Sequence, residues 1–338
     1  MARHANVAFF IPHLGCPNRC SFCSQQRITG AEAAPSPAEV KEGLRAAFAR
    51  ELDPISTEIA FFGGSFTCIP REQMEAYLAE ALPYVRAGRC AGIRISTRPD
   101  GVRDEILALL ARYGVTSIEL GAQSLDDRVL ALNNRGHDAA AVCEAARSIR
   151  AFSSAPFSLG LQIMTGLYGE DAESRARTKA GVLAIKPDTL RIYPTVVLAG
   201  TELARKLEAG EYCPPGLEET VAFLAPMLAE YETAGIRVIR VGLHASPEVE
   251  RAMIGGAYHP AMRELCEAER FRQKLETLLA GIPPGDVSAA VHPRAVSKLA
   301  GQKKSNLLWA AKRGYSLHIV QDAQLGPDEL RLIWHKLE

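Results

Sequence analysis

The densest chemistry in the sequence lies in Gly15-Cys16-Pro17-Asn18-Arg19-Cys20-Ser21-Phe22-Cys23, where three cysteines fall in the spacing CxxxCxxC. Three thiolates on one short loop can wrap a compact metal centre. A [4Fe–4S] cluster takes four ligands, normally four cysteines, so three would leave one iron open to a ligand from outside the protein. An open coordination position marks chemistry rather than structure, as it does for zinc. A structural Cys₃His zinc site that recruits His13 is the bland competitor, although such sites usually draw on two separated ligand pairs. A cluster used only to carry electrons would want a fourth cysteine close by. Cys68, Cys90, Cys143, Cys213 and Cys266 are scattered without a CxxC partner, and most of them read as small buried apolar residues, with Cys68 set apart by the glycine motif before it.

Other polar groups sit where apolar runs end. Phe62-Gly63-Gly64-Ser65-Phe66-Thr67 closes one run, and its two glycines allow backbone to approach a ligand closely. Ser96-Thr97-Arg98-Pro99-Asp100 closes another. Pro99 imposes an extended turn after Arg98, whose guanidinium can grip a carboxylate or phosphate with two bonds. Glu119 and Gln123, in Glu119-Leu120-Gly121-Ala122-Gln123-Ser124, stand at a strand end expected to be buried. Polar groups there need partners, which a bound nucleoside would supply. Arg135 in Asn134-Arg135-Gly136-His137, Gln162 in Gln162-Ile163-Met164-Thr165-Gly166, and Arg191 and Tyr193 in Arg191-Ile192-Tyr193-Pro194-Thr195 complete the set.

These motifs need a frame that gathers them. Strand-like runs fall at 6–12, 57–62, 93–97, 117–120, 157–164, 189–194 and 237–243. Helical patterns lie between them. One spans 37–52, with Ser36 as cap, Pro37 at the first position and Val40, Leu44, Ala47 and Phe48 on one face. Others span 71–82 (ending at Pro83), 102–113, 126–132, 139–150, 171–184, 201–208 and 217–234. Such alternation calls for parallel strands joined by helical crossovers. Six βα units and a last strand are fewer than a closed TIM barrel needs, which predicts an α/β fold, a partial (β/α)6 TIM-like barrel; a doubly wound open sheet is the competitor. In both, the loops after the strands' C-terminal ends form the active face, and every motif above lies at such an end.

With 39 Lys+Arg against 39 Asp+Glu the chain has no net charge, which excludes a uniformly basic coat but not a local patch. No apolar run reaches the roughly 18 residues of a bilayer span. The chain passes from Met1 into a strand-like run without a signal-peptide pattern, so a cytoplasmic protein without membrane contact is expected. The expected domains are a core over 1–243, a helical extension over 244–281, and, after the turn-rich GIPPG at 281–285, a small αβ appendage over 282–338 with a strand at 317–320. The appendage carries 8 Lys+Arg and 5 Asp+Glu, against 31 and 34 elsewhere. Its charge gathers at Arg294, Lys298, Lys303, Lys304, Lys312 and Arg313. Lysines there could meet phosphates, and Trp309 or Tyr315 could stack on a base; a solvated helix face is the alternative.

CxxxCxFC, with Phe22 before the last cysteine, resembles the signature of the radical S-adenosylmethionine (radical SAM) superfamily. The resemblance implies that Cys16, Cys20 and Cys23 hold a [4Fe–4S] cluster whose open iron takes the amine and carboxylate of SAM. One electron then cleaves SAM to methionine and a 5′-deoxyadenosyl radical, and the radical takes hydrogen from substrate. It further implies SAM contacts from Gly63, Gly64 and Ser65 to the amine, with Ser65 where the commoner motif has glutamate. Arg135 would meet the carboxylate, Thr97, Arg98 and Gln123 other parts of SAM, and Gln162 the neighbourhood of the adenine. An external electron donor such as flavodoxin or ferredoxin is implied as well. GGSFT, STRPD, IELGAQSLDD, NRGHD and LRIYPT…GTEL, over about residues 5–280, resemble the group named for the catalytic subunit of Elongator. Its members modify the wobble uridine of tRNA and join a radical SAM core to an acetyltransferase domain. About 55 residues follow the core here, where such a domain would take roughly 100–150, and the cysteine spacing is the compact one. The expectation is therefore a short Elongator-like protein that acts on RNA, tRNA first, with the basic appendage as its RNA contact. The alternative is a coproporphyrinogen oxidase-like enzyme, which shares a GxQS-type strand end and an arginine–histidine segment, or a haem or electron carrier on the same core with His13 and His259 as candidate ligands.

Overall fold

A computed structural model describes residues 5–12, 14–16, 20–24, 28 and 33–333. By the density of internal contacts these residues divide into two compact units, 1–215 with 234–257 and 216–233 with 258–338. This division does not coincide with boundaries at 243/244 and 281/282.

The first unit is built on one parallel sheet. Strands β1 (Ala5–Ile11), β2 (Thr57–Gly63), β3 (Gly92–Thr97), β4 (Val115–Gln123), β5 (Ser158–Thr165), β6 (Thr189–Pro194) and, beyond the short β7 (Val196–Leu198), β8 (Arg237–Val241) lie side by side as β1-β2-β3-β4-β5-β6-β8. Every pairing in it is parallel. The sheet curls into a partial barrel with two open edges, the expected α/β architecture. Helices α1 (Pro37–Phe48), α2 (Arg71–Arg86), α3 (Asp104–Arg112), α4 (Asp127–Leu132), α5 (Ala139–Ala151) and α6 (Ala172–Ile185) occupy the crossovers. Strands covered on both faces read as continuous apolar runs, and Ile59, Ala60 and Phe61 of β2 are accordingly inaccessible to solvent.

Local signals explain the helix ends. Ser36 and Glu39 form a reciprocal capping box at the start of α1, and Val40, Leu44 and Phe48 bury one stripe. The helix closes at Phe48 rather than 52, because the Ala49 N–H turns back to the carbonyls of Arg45 and Ala47. Pro83 does not end α2. It lies in the last turn, where a missing N–H forfeits one bond, and its carbonyl still accepts from Ala87. A short helix α7 (Glu202–Glu208) follows β7, and α8 (Leu217–Thr233) leads into the second unit. Past β8 come α9 (Pro247–Ala252) and β9 (Met253–Gly256), which pairs antiparallel with β7. That ribbon was not expected; strands of three or four residues are too short to carry a period.

The second unit draws in helical segments on both sides of β8. Glu232 of α8 pairs with Arg263 and Arg270 of α10 (Met262–Leu279) at 2.9 and 2.7 Å. Phe271, Leu275 and Leu279 of α10 share a core with Val287, Ala289 and Val291 of β10 (Asp286–Val291). After α11 (Val296–Ala300) and α12 (Ser305–Lys312) come β11 (Ser316–Gln321), parallel to β10 and containing the expected strand at 317–320, and β12 (Leu330–Ile333), antiparallel to it. Among the described residues no helix is long and apolar enough to cross a membrane.

Candidate active site

At the C-terminal ends of the barrel strands lies a cavity of about 380 Å³, walled by Cys16, Cys20 and Cys23 on the loop after β1 and by side chains from every other strand of the sheet. The loop's seat is built into the backbone. Gly64 N–H donates to Ile11 O at 2.7 Å and Ser65 N–H to Leu14 O at 3.1 Å. A Cβ on Gly64 would sit 2.0 Å from Leu14 O, and one on Gly15, at φ 74°, would sit 2.4 Å from Ser65 O. The space that Gly64 leaves is taken by the cysteine loop itself, while Gly63, Gly64 and Ser65 still face the cavity. Ser65 Oγ lies 4.0 Å from Cys16 Sγ.

Farther along the loop, Ser21 is fully buried. Its hydroxyl donates to Asn133 Oδ1 at 2.7 Å, its N–H to Asn133 O, and its carbonyl accepts from Leu203 N–H. Asn133, also buried, closes α4 and donates to Val129 O and Tyr168 O. Two residues on, Arg135 extends back to the same loop. Its Nη1 donates to Cys20 Sγ at 2.9 Å and its Nη2 to Gly121 O at 2.6 Å, 3.2 Å from His137 Nε2. Burial, and then the Arg135 charge, push the His137 imidazole down to about 4, so the ring is neutral at ordinary pH. Sequence reasoning passed over Ser21 and Asn133. The available signal was a polar residue between two cysteines of the motif and another at a helix end.

The remaining expected residues meet in the same cavity. Thr97 Oγ1 bonds Thr67 Oγ1 at 2.6 Å. Arg98 is 5% exposed and its fork already holds Asp100, at 2.8 and 2.9 Å. Burial opposes both charges of that pair. The paired bonds outweigh it, raising the Arg98 guanidinium and holding the Asp100 carboxyl below its usual range. Gln123 takes a left-handed φ of 66° where the β4–β5 ladder skips Ala122. A bulge of this kind re-aims a side chain, and a non-glycine residue there costs about 1–3 kcal/mol unless its surroundings hold it. Gln123 is 5% exposed, faces the cavity, and leaves Oε1 without a hydrogen bond among the described residues. Gln162 on β5 stands in register between Gly121 and Arg191.

A ladder of buried charge floors the barrel, and sequence reasoning did not anticipate it. Arg94, 3% exposed, joins Glu58 at 2.7 Å and Glu119 at 2.9 Å, and Glu119 also accepts from Arg191 Nε. Ser117 donates to Glu58 at 2.9 Å. A single charge within each of β2, β3, β4 and β6 was the available signal. Alternating signs across β2, β3, β4 and β6 satisfy what would otherwise be costly isolated ions.

The donor set fits the implied cofactors. All eight cysteines lie outside disulfides. Three thiols face one cavity, with a guanidinium donating to one of them, and a buried amide oxygen of Gln123 and the Nε of Arg135 await partners. Among the described residues no three His, Cys, Asp or Glu side chains converge as ligands for a single metal ion. Thiolates that each bind a different corner of a cube stand farther apart than three sharing one ion. His13, the candidate zinc or haem ligand, lies outside the described residues, and His259 belongs to the second unit, its Nδ1 accepting from Ala261 N–H.

In the second unit the basic residues are partly spoken for. Lys298 pairs with Glu267 at 2.9 Å and Asp328 at 3.4 Å. The guanidiniums of Arg313 and Arg272 lie over the Trp309 ring, 4.3 and 5.4 Å from its centre. Tyr315 donates to Ile282 O at 2.7 Å. Lys303, Lys304 and Lys312 remain exposed.

Comparison with known proteins supports the same reading of the first unit. The profile of the Radical SAM superfamily matches residues 10–180, and that of the Radical_SAM C-terminal domain matches 187–272. The chain is 31% identical to Elongator complex protein 3 of Drosophila melanogaster over 194 residues, 51% of this chain and 34% of that protein. It is 28% identical to a tRNA uridine(34) acetyltransferase of Dehalococcoides mccartyi over 246 residues, 62% of this chain and 52% of that one. The chain thus spans about a third to a half of these relatives' length. A solved structure of the Elp3 of Methanocaldococcus infernus, lacking its N-terminus, shares the fold with a TM-score of 0.61 and 19% identity, over 82% of this chain and 64% of that one.

Proposed function

Because this chain belongs to the radical SAM superfamily of enzymes, we propose that it reductively cleaves SAM at a [4Fe–4S] cluster held by Cys16, Cys20 and Cys23 and that it acts in tRNA modification. The observation that carries this reading is the convergence of three thiols, an arginine bonded to one of them, and a buried amide with an open acceptor on one strand-end cavity. When bound, the cluster supplies the electron that splits SAM into methionine and a 5′-deoxyadenosyl radical.

The chain's own residues bind, orient and shield. Cys16, Cys20 and Cys23 would ligate three irons and leave the fourth for SAM. Gly63, Gly64 and Ser65 hold the cysteine loop and offer backbone and hydroxyl to the SAM amine. Arg98, its charge partly answered by Asp100, and Arg135, with its Nε open, supply the positive field for the carboxylate. Thr97, Gln123 and Gln162 are the polar groups for the nucleoside, with Gln123 already turned into the cavity at a backbone cost. Arg135, shared between a ligand sulfur and Gly121 O, ties the cluster loop to the β4 bulge. An external donor such as flavodoxin or ferredoxin would deliver the electron. The likeness to a tRNA uridine(34) acetyltransferase and the exposed lysines of the second unit support tRNA as the substrate class.

The test is anaerobic reconstitution with iron and sulfide, then incubation with SAM and a reductant, with and without bulk tRNA. The expected result is 5′-deoxyadenosine, formed faster with tRNA, and a mass change on a tRNA nucleoside. Release of 5′-deoxyadenosine that tRNA leaves unchanged, with porphyrinogen stimulating it instead, would move the enzyme to the alternative class.

A further inference from the structure

We infer that Arg191 and Arg240 form a receptor for a phosphate of a nucleotide substrate, on the β6/β8 side of the cavity and apart from the cysteine loop. Both side chains line the cavity, and the two residues are direct Cα partners on adjacent parallel strands, so both project from the same face of the sheet. This juxtaposition is made by a bulge. The ladder steps from Leu190↔Val238 to Arg191↔Arg240 and skips Ile239. Without the extra residue Arg191 would face Ile239 and Arg240 would turn to the other side; bulges beside functional sites re-aim side chains in this way.

Two like charges directly opposed on neighbouring strands destabilise a sheet unless something lies between them. Glu119 answers Arg191 but not Arg240. Glu58, Arg94, Glu119 and Arg191 already balance as two acids and two bases. The other arginines of the cavity have partners: Arg98 holds Asp100, and Arg135 holds Cys20. Arg240 gives Nε to Gly242 O at 3.1 Å and has no carboxylate partner among the described residues. Glu248, whose charge opposes that of Arg240 at His244, is itself bonded to Ser246 and Arg251. Arg240 therefore adds to this wall a positive charge that no carboxylate answers, at the position paired with Arg191. An oxyanion between them turns the repulsion into charge-assisted, bidentate bonds.

The nucleotide in this inference rests on the tRNA reading, whereas the phosphate rests on the arginines alone. The experiment keeps them apart. Uridine 5′-monophosphate, uridine, inorganic phosphate and SAM are titrated calorimetrically, without oxygen, into the full-length protein and its Arg240→Gln and Arg240→Lys variants, with circular dichroism to establish folding. The expected result is that uridine 5′-monophosphate binds the parent protein roughly tenfold more tightly than uridine, an advantage lost in Arg240→Gln and only partly kept in Arg240→Lys, which restores the charge but not the fork. Inorganic phosphate that binds only when Arg240 is present, with uridine adding nothing, would uphold the receptor and count against the tRNA reading. No gain from the phosphate in the parent protein, or an Arg240→Gln protein that binds like the parent, would overturn the inference. So would a matching loss of SAM affinity, since the arginine would then serve the SAM carboxylate.

Discussion

Arg135 joins three things at once: the Cys20 sulfur, the carbonyl that the β4 bulge leaves at Gly121, and the neutral ring of His137. A cationic donor on a ligand sulfur favours the more negative, reduced state of a cluster. In the iron-loaded protein Arg135→Gln should lower the midpoint potential by on the order of 60 mV, the one-electron equivalent of a tenfold change. A redox titration followed by electron paramagnetic resonance reads this directly, and an unchanged potential would mean that the bond to Cys20 does not persist once iron is bound. His137 makes a prediction for the iron-free chain. Its pKa falls from 6.5 to about 4 on folding, first through burial and then through Arg135. Between those values the unfolded chain takes up a proton that the folded chain refuses, so this contribution is complete above about pH 6.5 and is lost as the pH falls towards 4. Urea unfolding at about pH 7 and about pH 4.5 should show His137→Gln losing less stability than the parent by about 1–2 kcal/mol, after discounting for a partly exposed ring. Equal losses would place the ring in water.

Among elements, the loop after β1 and the end of β2 act as one piece. Gly64→Ala would place a Cβ 2.0 Å from Leu14 O, backbone against backbone, so the cysteine loop must shift. The expected outcome is a loss of about 1–3 kcal/mol from overpacking and a sharply reduced iron content after reconstitution. Normal iron content in the variant would show that the loop does not need this seat. Much of the element layer was legible. The alternation of apolar runs and capped helical stripes located all seven strands of the main sheet, and the polar groups at their ends do meet in one cavity. Three features were hidden for physical reasons. Pro83 looked like a stop, yet a proline in a last turn forfeits little. The bulges at Ala122 and Ile239 depend on pairing between distant strands, so no local pattern marks them, and they decide whether Gln123 and Arg240 face the cavity. The ladder from Glu58 to Arg191 was visible only as single charges in apolar runs. Its pairing needs the sheet order.

At the scale of the whole molecule, the neutral total conceals an uneven distribution. The last 57 residues hold an excess of positive charge, 8 against 5, and the helix that precedes them shares a core with them. The composition of the tail was readable, but the recruitment of α8 and α10 into its unit was not, because helices show which face is apolar and not what covers it. Trp309 and Tyr315, legible as stackers, are engaged by Arg272, Arg313 and the Ile282 carbonyl. RNA contact from this unit would then fall to the exposed lysines. Lys303→Ala with Lys304→Ala should weaken tRNA binding and flatten the slope of log affinity against log salt by roughly 1.5; an unchanged slope would remove this unit from the RNA contact. Above all these stands the claim that Cys16, Cys20 and Cys23 hold a four-iron cluster with one corner left for SAM. The most direct measurement is the electron paramagnetic resonance spectrum of the reconstituted, dithionite-reduced protein before and after SAM is added. The account predicts a [4Fe–4S]⁺ signal that changes on addition and is absent when the three cysteines are replaced by alanine. A signal indifferent to SAM, or protein that retains zinc and takes up no iron, would contradict it.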